Sequence, residues 1–331
     1  MFFYTLSFAR AFFLPVVLAW LMSFMLRPLI RALEKLSVPK ALGATLIMVT
    51  LIALLSIGVV RLYAPAVKWM EDAPNGLDKV ESKVRAFLKP AEHVSQAVEQ
   101  VQKMTNIENT GDSKKVEVKE QSLLTSIFTW TKSFLLGVLM TFVLLFFLLS
   151  RGDMFMRKLI KIMDRPEDKQ AVVDIARQTE ETISGYLFTI AIVNTGVGIV
   201  VALAMYLVGL PNPALWGALA GLLNFIPYLG PTCCFAVISF ISLLHFDTPG
   251  SIILPPLTYL GLHALENYAI TPLIVGNKLA LNPVVIFIAV IFWGWLWGVP
   301  GAMIAVPLLV AFKIFCDQIP ALATVSELIS P

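Results

Sequence analysis

Long apolar stretches separated by polar segments are the main feature of this chain, and they predict membrane-spanning helices. Residues 1–63 hold two such stretches, 1–26 and 41–63, and two more cover 123–150 and 183–208. A helix needs about 20 apolar residues to cross a bilayer. Each stretch is therefore expected to be one span, and the fold class is expected to be an all-α polytopic membrane protein.

Two later apolar segments, 210–247 and 282–316, are interrupted by proline and glycine. Both open with Asn-Pro and break at a Pro/Gly turn, the first at 224–231 and the second at 298–301. Each limb is short for a crossing, so each segment either crosses the membrane or re-enters it. Interrupted segments in corresponding positions of two halves are typical of a transport site.

The first of these breaks carries residues that fit the wall of a cavity. Pro227 and Pro231 remove backbone donors, and Gly230 permits unusual dihedrals. At membrane depth, such backbone is tolerated only where it is buried in protein or lines a water-filled cavity. With the side chains of Asn224 and Tyr228, this break is expected to form part of a binding site.

Residues 64–122 form a polar excursion whose apolar positions repeat every 3.5 residues over 77–101. Such a repeat is the pattern of a coiled-coil seam, which Pro90 is expected to kink or divide into two helices. Two interpretations stay open: a helical hairpin within one chain over the membrane mouth, or a seam that joins the subunits of a homo-oligomer.

Basic residues assign the polar segments to the two sides of the membrane. The loop 27–40 carries four basic residues and one acid, and 151–182 begins with a group of basic residues. The positive-inside rule places both in the cytoplasm and the excursion 64–122 outside it. The segment 151–182 is also expected to be an amphipathic helix in contact with membrane lipids. A transport core at 183–319 and a tail at 320–331 follow.

The overall composition excludes several classes of protein. With 58% hydrophobic and 14% charged residues and a mean hydropathy of +0.81, the chain is too apolar for a soluble fold. A net charge of +3, scattered along the chain, does not indicate nucleic-acid binding. Cys233, Cys234 and Cys316 lack metal-ligand spacing to a histidine and are expected to be packing residues. No cofactor or metal is predicted.

One carboxylate, Glu266, stands out in the second half of the chain. Between 182 and 312 the only formal charges are Asp247, Glu266 and Lys278. Asp247 and Lys278 fall near glycine in turns that water can reach, whereas Glu266 lies in apolar sequence. An ionisable group at membrane depth costs several kcal/mol unless it faces protein or a water-filled path. Glu266 is therefore a candidate functional residue.

On a regular helix, Glu266 shares one face with Tyr259, His263 and Ile270, which are spaced at 4, 3 and 4 residues. A proton-coupled carrier needs a group that is charged in one access state and neutral in the other. Glu266 can fill that role, with His263 as a relay partner. Asn267 would add a polar contact on the same helix.

Three uses of this face stay open. With Asn224, Tyr228 and carbonyls freed near Pro227, it would bind a small polyhydroxylated solute. For sodium, the carboxylate of Glu266 and unwound carbonyls would supply hard oxygen ligands. In a purely structural role, Glu266 would join helices through a hydrogen bond to Asn224 or Tyr228.

Several motifs of the second half occur together: the break at 224–231, Glu266 with Pro272 and Gly276, Asn282-Pro283, and Gly298-Val-Pro300-Gly301. In this combination the chain resembles the autoinducer-2 exporter family of bacterial permeases over nearly its whole length. The resemblance implies about eight membrane elements in a bacterial cytoplasmic membrane and the export of small solutes. Some relatives are associated with autoinducer-2 and others with sodium/proton exchange. Relatives usually carry a longer apolar lead before the equivalent of 13–15.

The sequence therefore favours a proton-linked exporter of a small polar solute, with membrane lipids and the solute as its partners. A sodium/proton antiporter is the second hypothesis, and an oligomeric scaffold built on the 77–101 seam is the third. An enzyme is not expected, because the sequence has no metal-ligand cluster and no serine or cysteine with a base at helical spacing.

Overall fold

The computed structural model describes residues 10–92, 120–152, 166–275, 281–317 and 322–330, and within these ranges all regular structure is helical. The first four helices are α1 (Arg10–Lys35), α2 (Lys40–Glu92), α3 (Glu120–Arg151) and α4 (Pro166–Val208). The next are α5 (Pro213–Leu223), α6 (Leu229–His245) and α7 (Pro249–Leu265), which continues through a π-helical turn (Glu266–Ile270) into α8 (Thr271–Val275). The last three are α9 (Pro283–Trp297), α10 (Val299–Asp317) and α11 (Ala323–Ile329).

The helices have the length and surface of a membrane protein. In the described part of the chain, four stretches are long and apolar enough to cross a bilayer: Arg10–Lys35, Lys40–Trp69, Ile175–Val208 and Val299–Asp317. Shorter apolar helices accompany them, and large apolar side chains such as Val60 and Leu207 lie on the outside, 74% and 83% exposed. Such a surface suits lipid better than water. The predicted all-α polytopic fold is confirmed.

Two helices are longer than the apolar stretches that predict them. The helix α2 continues without a break past residue 63 and past Pro90 to Glu92, so the second span and the start of the polar excursion are one helix. The rest of the 77–101 seam lies outside the described residues. The helix α4 joins the end of the segment 151–182 to the following apolar stretch. Residues 153–165 of that segment are also outside the described part.

The helix α1 lies between two hydrophobic clusters. On one side Ala19, Leu26 and Ile30 pack with buried residues of α2 and α3. On the other side Leu21 packs with Ile183 and buried residues of α4, α9 and α10. The N-terminal helices are thereby attached to the second half of the chain through α1.

An ion-pair cluster holds α1 to α4 at one end of the molecule. Arg27 pairs with Glu180, and Arg31 reaches both Glu180 (2.8 Å) and Glu181 (3.7 Å). Arg177 pairs with Glu181 at 3.2 Å along α4. The positive-inside rule predicts that the segments carrying these charges lie on the same side of the membrane.

Replacing Glu180 with alanine is expected to weaken this attachment. The change leaves two guanidinium groups of α1 without their main partner, and partly exposed pairs are worth about 1 kcal/mol or less. The melting temperature should fall by about 2–4 °C, measured by heating the protein in detergent. Arg177→Gln is the matched control: its side chain is 76% exposed, and no measurable shift is expected. Equal shifts in both variants would contradict this account.

The helices α4 and α5 approach so closely that only glycine fits between them. A Cβ atom on Gly198 would lie 2.9 Å from the carbonyl oxygen of Gly217, and one on Gly221 would lie 2.8 Å from that of Asn194. Because 198 faces 217 while 194 faces 221, the two helices run antiparallel. Small residues at such contacts let membrane helices pack backbone to backbone.

Both predicted breaks are present, and each separates two helices packed against one another. The turn 224–228 joins α5 to α6, and buried residues of the two helices, among them Trp216 and Ile238, share one cluster. Gly298, with φ of 71°, joins α9 to α10, and Val290 and Ala305 pack together across that pair. The second half of the chain is thus built around two broken helical segments.

The C-terminal helix α11 is tied to the ends of the second pair. The backbone N–H of Asn282 donates to the carbonyl of Ile329 over 2.9 Å. Lys313, which is 7% exposed, pairs with Asp317 at 3.1 Å, and the hydroxyl of Ser326 donates to the same carboxylate. These contacts fix the start of α9 and the end of α10 against each other.

Candidate functional site

A cavity of about 480 Å³ lies between α4, the turn 224–228, the start of α6, α7 with the π-helical turn that follows it, and α10. It brings together most of the site residues predicted from the sequence. These are Asn224, Pro227, Tyr228, Pro231, Tyr259, His263, Glu266 and Asn267. Residues far apart in the sequence thus line one cavity.

The other predicted residues have different positions. Gly230 is buried beside the cavity, where a Cβ atom would collide with the carbonyl of Leu223, so glycine is required to close the turn. Pro272, Pro283, Pro300 and Gly301 are not among the lining residues. Gly276 lies outside the described part of the chain.

The turn 224–228 is held by local backbone contacts. The N–H of Asn224 donates to the carbonyl of Ala220 (2.9 Å), and that of Gly230 donates to the carbonyl of Ile226 (2.9 Å). Ile226 is buried against α9 and α10. Tyr228 has φ of 62°, which is rare for a bulky residue, and its side chain lines the cavity. Strained backbone of this kind is concentrated at functional sites.

The π-helical turn changes which side chains share a face with Glu266. A regular α-helix would place Ile270 on that face, but Ile270 is not among the lining residues, whereas Thr271 is. The π turn contains one more residue than an α-helical turn. As a result Thr271 takes the position predicted for Ile270, and its hydroxyl donates to Oε1 of Glu266 over 2.8 Å.

Glu266 is 6% exposed, and its two carboxylate oxygens have different surroundings. Oε2 has no hydrogen-bond partner among the residues that the structure describes, and it lies 3.4 Å from Nδ1 of His263. The amide nitrogen of Asn267 lies 2.9 Å from Nε2 of His263. With Nε2 as the acceptor from Asn267, the neutral imidazole carries its proton on Nδ1, the atom that faces Glu266. The Nδ1 proton then lies opposite Oε2 of Glu266.

Tyr259 connects this helix to the broken turn. Its ring stacks on His263, with centroids 6.1 Å apart and planes inclined by 2°. Tyr259 is only 4% exposed, and its hydroxyl donates to the carbonyl of Pro231 over 3.4 Å. The predicted face of Tyr259, His263 and Glu266 is thus present and in contact with the first break.

Asn194, which the sequence analysis did not select, completes the opposite wall. Asn224 donates to the side-chain oxygen of Asn194 over 2.9 Å, and the amide nitrogen of Asn194 is buried without a hydrogen-bond partner in the described ranges. Asn194 lies near the middle of the apolar stretch Ile175–Val208, about 20 Å along the helix from Val208. An amide in the middle of a span is itself a signal for a functional contact.

In the purely structural role considered from the sequence, Glu266 would bond to Asn224 or Tyr228, but in the structure Glu266 and Asn224 have other partners. Glu266 receives its hydrogen bond from Thr271, and Asn224 donates to Asn194. Tyr186 and Thr232 also line the cavity and were not selected from the sequence. Neither carries a pattern that distinguishes it from its neighbours in the chain.

Replacing Asn194 with alanine is expected to cost about 0.6–1.7 kcal/mol of stability, the range measured for hydrogen bonds between membrane helices. The change removes the polar contact that holds the turn against α4. Thr195→Ala is the matched control, because that hydroxyl donates to Ala191 within its own helix. Unfolding in mixed micelles measures both variants. An Asn194 variant as stable as the control would show that this contact does not hold the turn.

Comparison with known proteins points to transport. Residues 1–321 match the family described as AI-2E family transporter. The AI-2 transport protein TqsA of Escherichia coli K12 is 24% identical over 329 residues, which cover 98% of this chain and 91% of that protein. A Borreliella burgdorferi protein named provisionally for transport is 29% identical over 204 residues, 61% of this chain and 56% of that protein. The protein YueF of Bacillus subtilis 168, also named provisionally for transport, is 22% identical over 315 residues, 93% of this chain and 84% of that protein.

Proposed function

Because this chain belongs to the AI-2E transporter family and is a multi-pass membrane transporter, we propose that it exports a small polar solute of the autoinducer-2 type through the cavity around Glu266, in a proton-linked step. The observation that carries this proposal is Glu266, a buried residue of the cavity lining whose Oε2 has no hydrogen-bond partner among the described residues.

The polar groups of the cavity suit a solute that carries hydroxyl groups. In the described part of the chain, two lining residues have a buried polar atom without a partner, a donor on Asn194 and an acceptor on Glu266. Hydroxyl groups of a solute can accept from the first kind of atom and donate to the second. Tyr228 and Asn267 add polar groups on the same lining. A volume of about 480 Å³ is within the range of sites for small molecules.

The proton-linked step is assigned to Glu266 and His263. The carboxyl group would be neutral in one access state and charged in the other. His263 would pass a proton from the cavity to Oε2 by taking one on Nε2 and releasing the one on Nδ1. Asn267, whose amide contacts Nε2, would leave that nitrogen free when the proton arrives. The solute and the proton would therefore meet at the same helix face.

We place the site near the middle of the membrane. The helix α5 has 11 residues, about 16 Å, roughly half of the 30 Å hydrocarbon core. It runs back along α4 from the end at Val208, so the turn 224–228 would lie at mid-depth, as in a re-entrant hairpin. The protein would reside in a bacterial cytoplasmic membrane, with 27–40 and 151–182 on the cytoplasmic side.

The polar excursion has a separate proposed role. Residues 64–122 would lie on the extracytoplasmic side, and the seam 77–101 would join copies of the chain in a homo-oligomer. This arrangement would leave the transport core, 183–319, within a single subunit. The cavity supports such a division, because the described residues that line it all belong to that core.

A sodium/proton antiporter is the second candidate. The free oxygen of Glu266 and the nearby hydroxyl of Thr271 are hard oxygen ligands of the kind that sodium accepts. In this version the cation and the proton would compete for the carboxylate.

Uptake into proteoliposomes distinguishes the two candidates. Purified protein is reconstituted with an enclosed pH-sensitive dye, and either autoinducer-2 or sodium is added outside. Uptake of autoinducer-2 that responds to an imposed pH gradient supports the exporter. A dye response to sodium with no uptake of autoinducer-2 would replace it with the antiporter.

A further inference from the structure

The hydroxyl of Thr271 and the carboxyl of Glu266 meet only because of the π-helical turn between them. In a regular α-helix, side chains five residues apart point about 140° away from each other, since each residue turns the helix by about 100°. The π turn contains one more residue, so side chains five residues apart come to lie on the same face of the helix. Thr271 Oγ1 therefore reaches Oε1 of Glu266 over 2.8 Å.

Thr271 differs from other threonines in the apolar helices. The hydroxyls of Thr189, Thr195 and Thr258 donate to the carbonyl four residues earlier in their own helix. This is the usual way for a membrane helix to satisfy a threonine. Thr271 instead donates to a buried carboxyl group that lines the cavity.

As a consequence, the two oxygens of the Glu266 carboxyl group have different contacts. Oε1 of Glu266 is held by Thr271, whereas Oε2 lies opposite Nδ1 of His263 without a hydrogen bond. A buried carboxyl with no such contact could rotate and exchange its two oxygens. With one oxygen held, the other stays directed at the imidazole.

We propose that Thr271 is a positioning residue of the transport site: its hydroxyl fixes the carboxyl group of Glu266 so that Oε2 faces His263. This inference rests on the proposed transport role of Glu266. Thr271 itself touches neither the proton path nor the solute in this scheme, and it acts through the carboxyl group alone.

Three variants test the proposal by autoinducer-2 uptake in proteoliposomes. Thr271→Val keeps the shape of the side chain and removes the donor, and the rate should fall about three- to tenfold, the scale of one lost hydrogen bond. Thr271→Ser restores the donor and should stay within about twofold of the wild type. Thr258→Val, in α7, removes a hydroxyl that donates only to its own helix and should transport normally. In a Glu266→Gln background, Thr271→Val should add no further loss.

Infrared difference spectroscopy gives a readout that does not depend on transport. The carboxyl band that disappears in Glu266→Gln identifies Glu266, and this band should shift in Thr271→Val but not in Thr258→Val or Thr271→Ser. An unmoved band in Thr271→Val would overturn the inference whatever the solute. Wild-type uptake in Thr271→Val, with uptake lost in Glu266→Gln, would overturn the positioning role alone. Failure of the wild type to move autoinducer-2 would count against the proposed function, and the infrared band would then decide the role of Thr271.

Discussion

Replacing Glu266 with glutamine is expected to abolish proton-linked transport. The amide keeps the size of the side chain and can still accept from Thr271, but it cannot gain or lose a proton at the position that faces His263. Essential proton-transfer groups contribute about a hundredfold or more to a rate. Uptake of autoinducer-2 into proteoliposomes, with and without a pH gradient, should therefore fall by at least that factor.

The matched control for this variant is Glu327→Gln. Glu327 lies in α11 with an exposed side chain, away from the cavity. Its replacement changes the net charge by the same amount and should leave uptake unchanged. Glu266→Gln protein that is folded and still transports within about twofold of the wild type would remove Glu266 from the mechanism.

The second large effect is expected at the contact between α4 and α5. Gly198→Leu would drive a side chain into the backbone of α5, since even a Cβ atom there lies 2.9 Å from the carbonyl oxygen of Gly217. Overpacking typically costs about 1–3 kcal/mol, and a full leucine against backbone should reach the top of that range. The displaced α5 would also move the turn 224–228, so transport should be lost together with stability.

Gly196→Leu is the control for this variant, two positions away on the same helix. A Cβ atom on Gly196 meets no atom within 4 Å, and leucine favours a helix over glycine by about 0.8 kcal/mol. This variant should be as stable as the wild type or slightly more so, measured by thermal unfolding in detergent. Similar losses in the two variants would show that the close α4–α5 contact is not what fixes the turn.

The helix face of Tyr259, His263 and Glu266 could be predicted from the sequence, because it depends only on spacing within one helix. The break at 224–231 was predictable for a similar reason, since proline and glycine determine local backbone conformation. Their shared cavity was not a local property. It depends on the packing of α4, α6, α7 and α10, which spacing in the chain does not reveal.

The two partners Thr271 and Asn194 illustrate what the sequence leaves open. Thr271 was missed because a regular helical period places Ile270 beside Glu266, and a π turn has no reliable sequence signal. Asn194 was missed because its partner, Asn224, lies in another helix. The contact forms only where three glycines, at 198, 217 and 221, let the two backbones meet.

The proposed transport site requires that the cavity at the broken turn be open to water although it lies at membrane depth. Thiol accessibility tests this claim most directly, in protein with Cys233, Cys234 and Cys316 replaced by alanine. Single cysteines are introduced in place of Tyr228, which lines the cavity and is 56% exposed, and Leu203, which is 59% exposed on α4 and does not line it. A charged, membrane-impermeant thiol reagent should modify position 228 and leave position 203 unmodified in lipid. Protection of position 228, or equal reaction at both positions, would contradict the account.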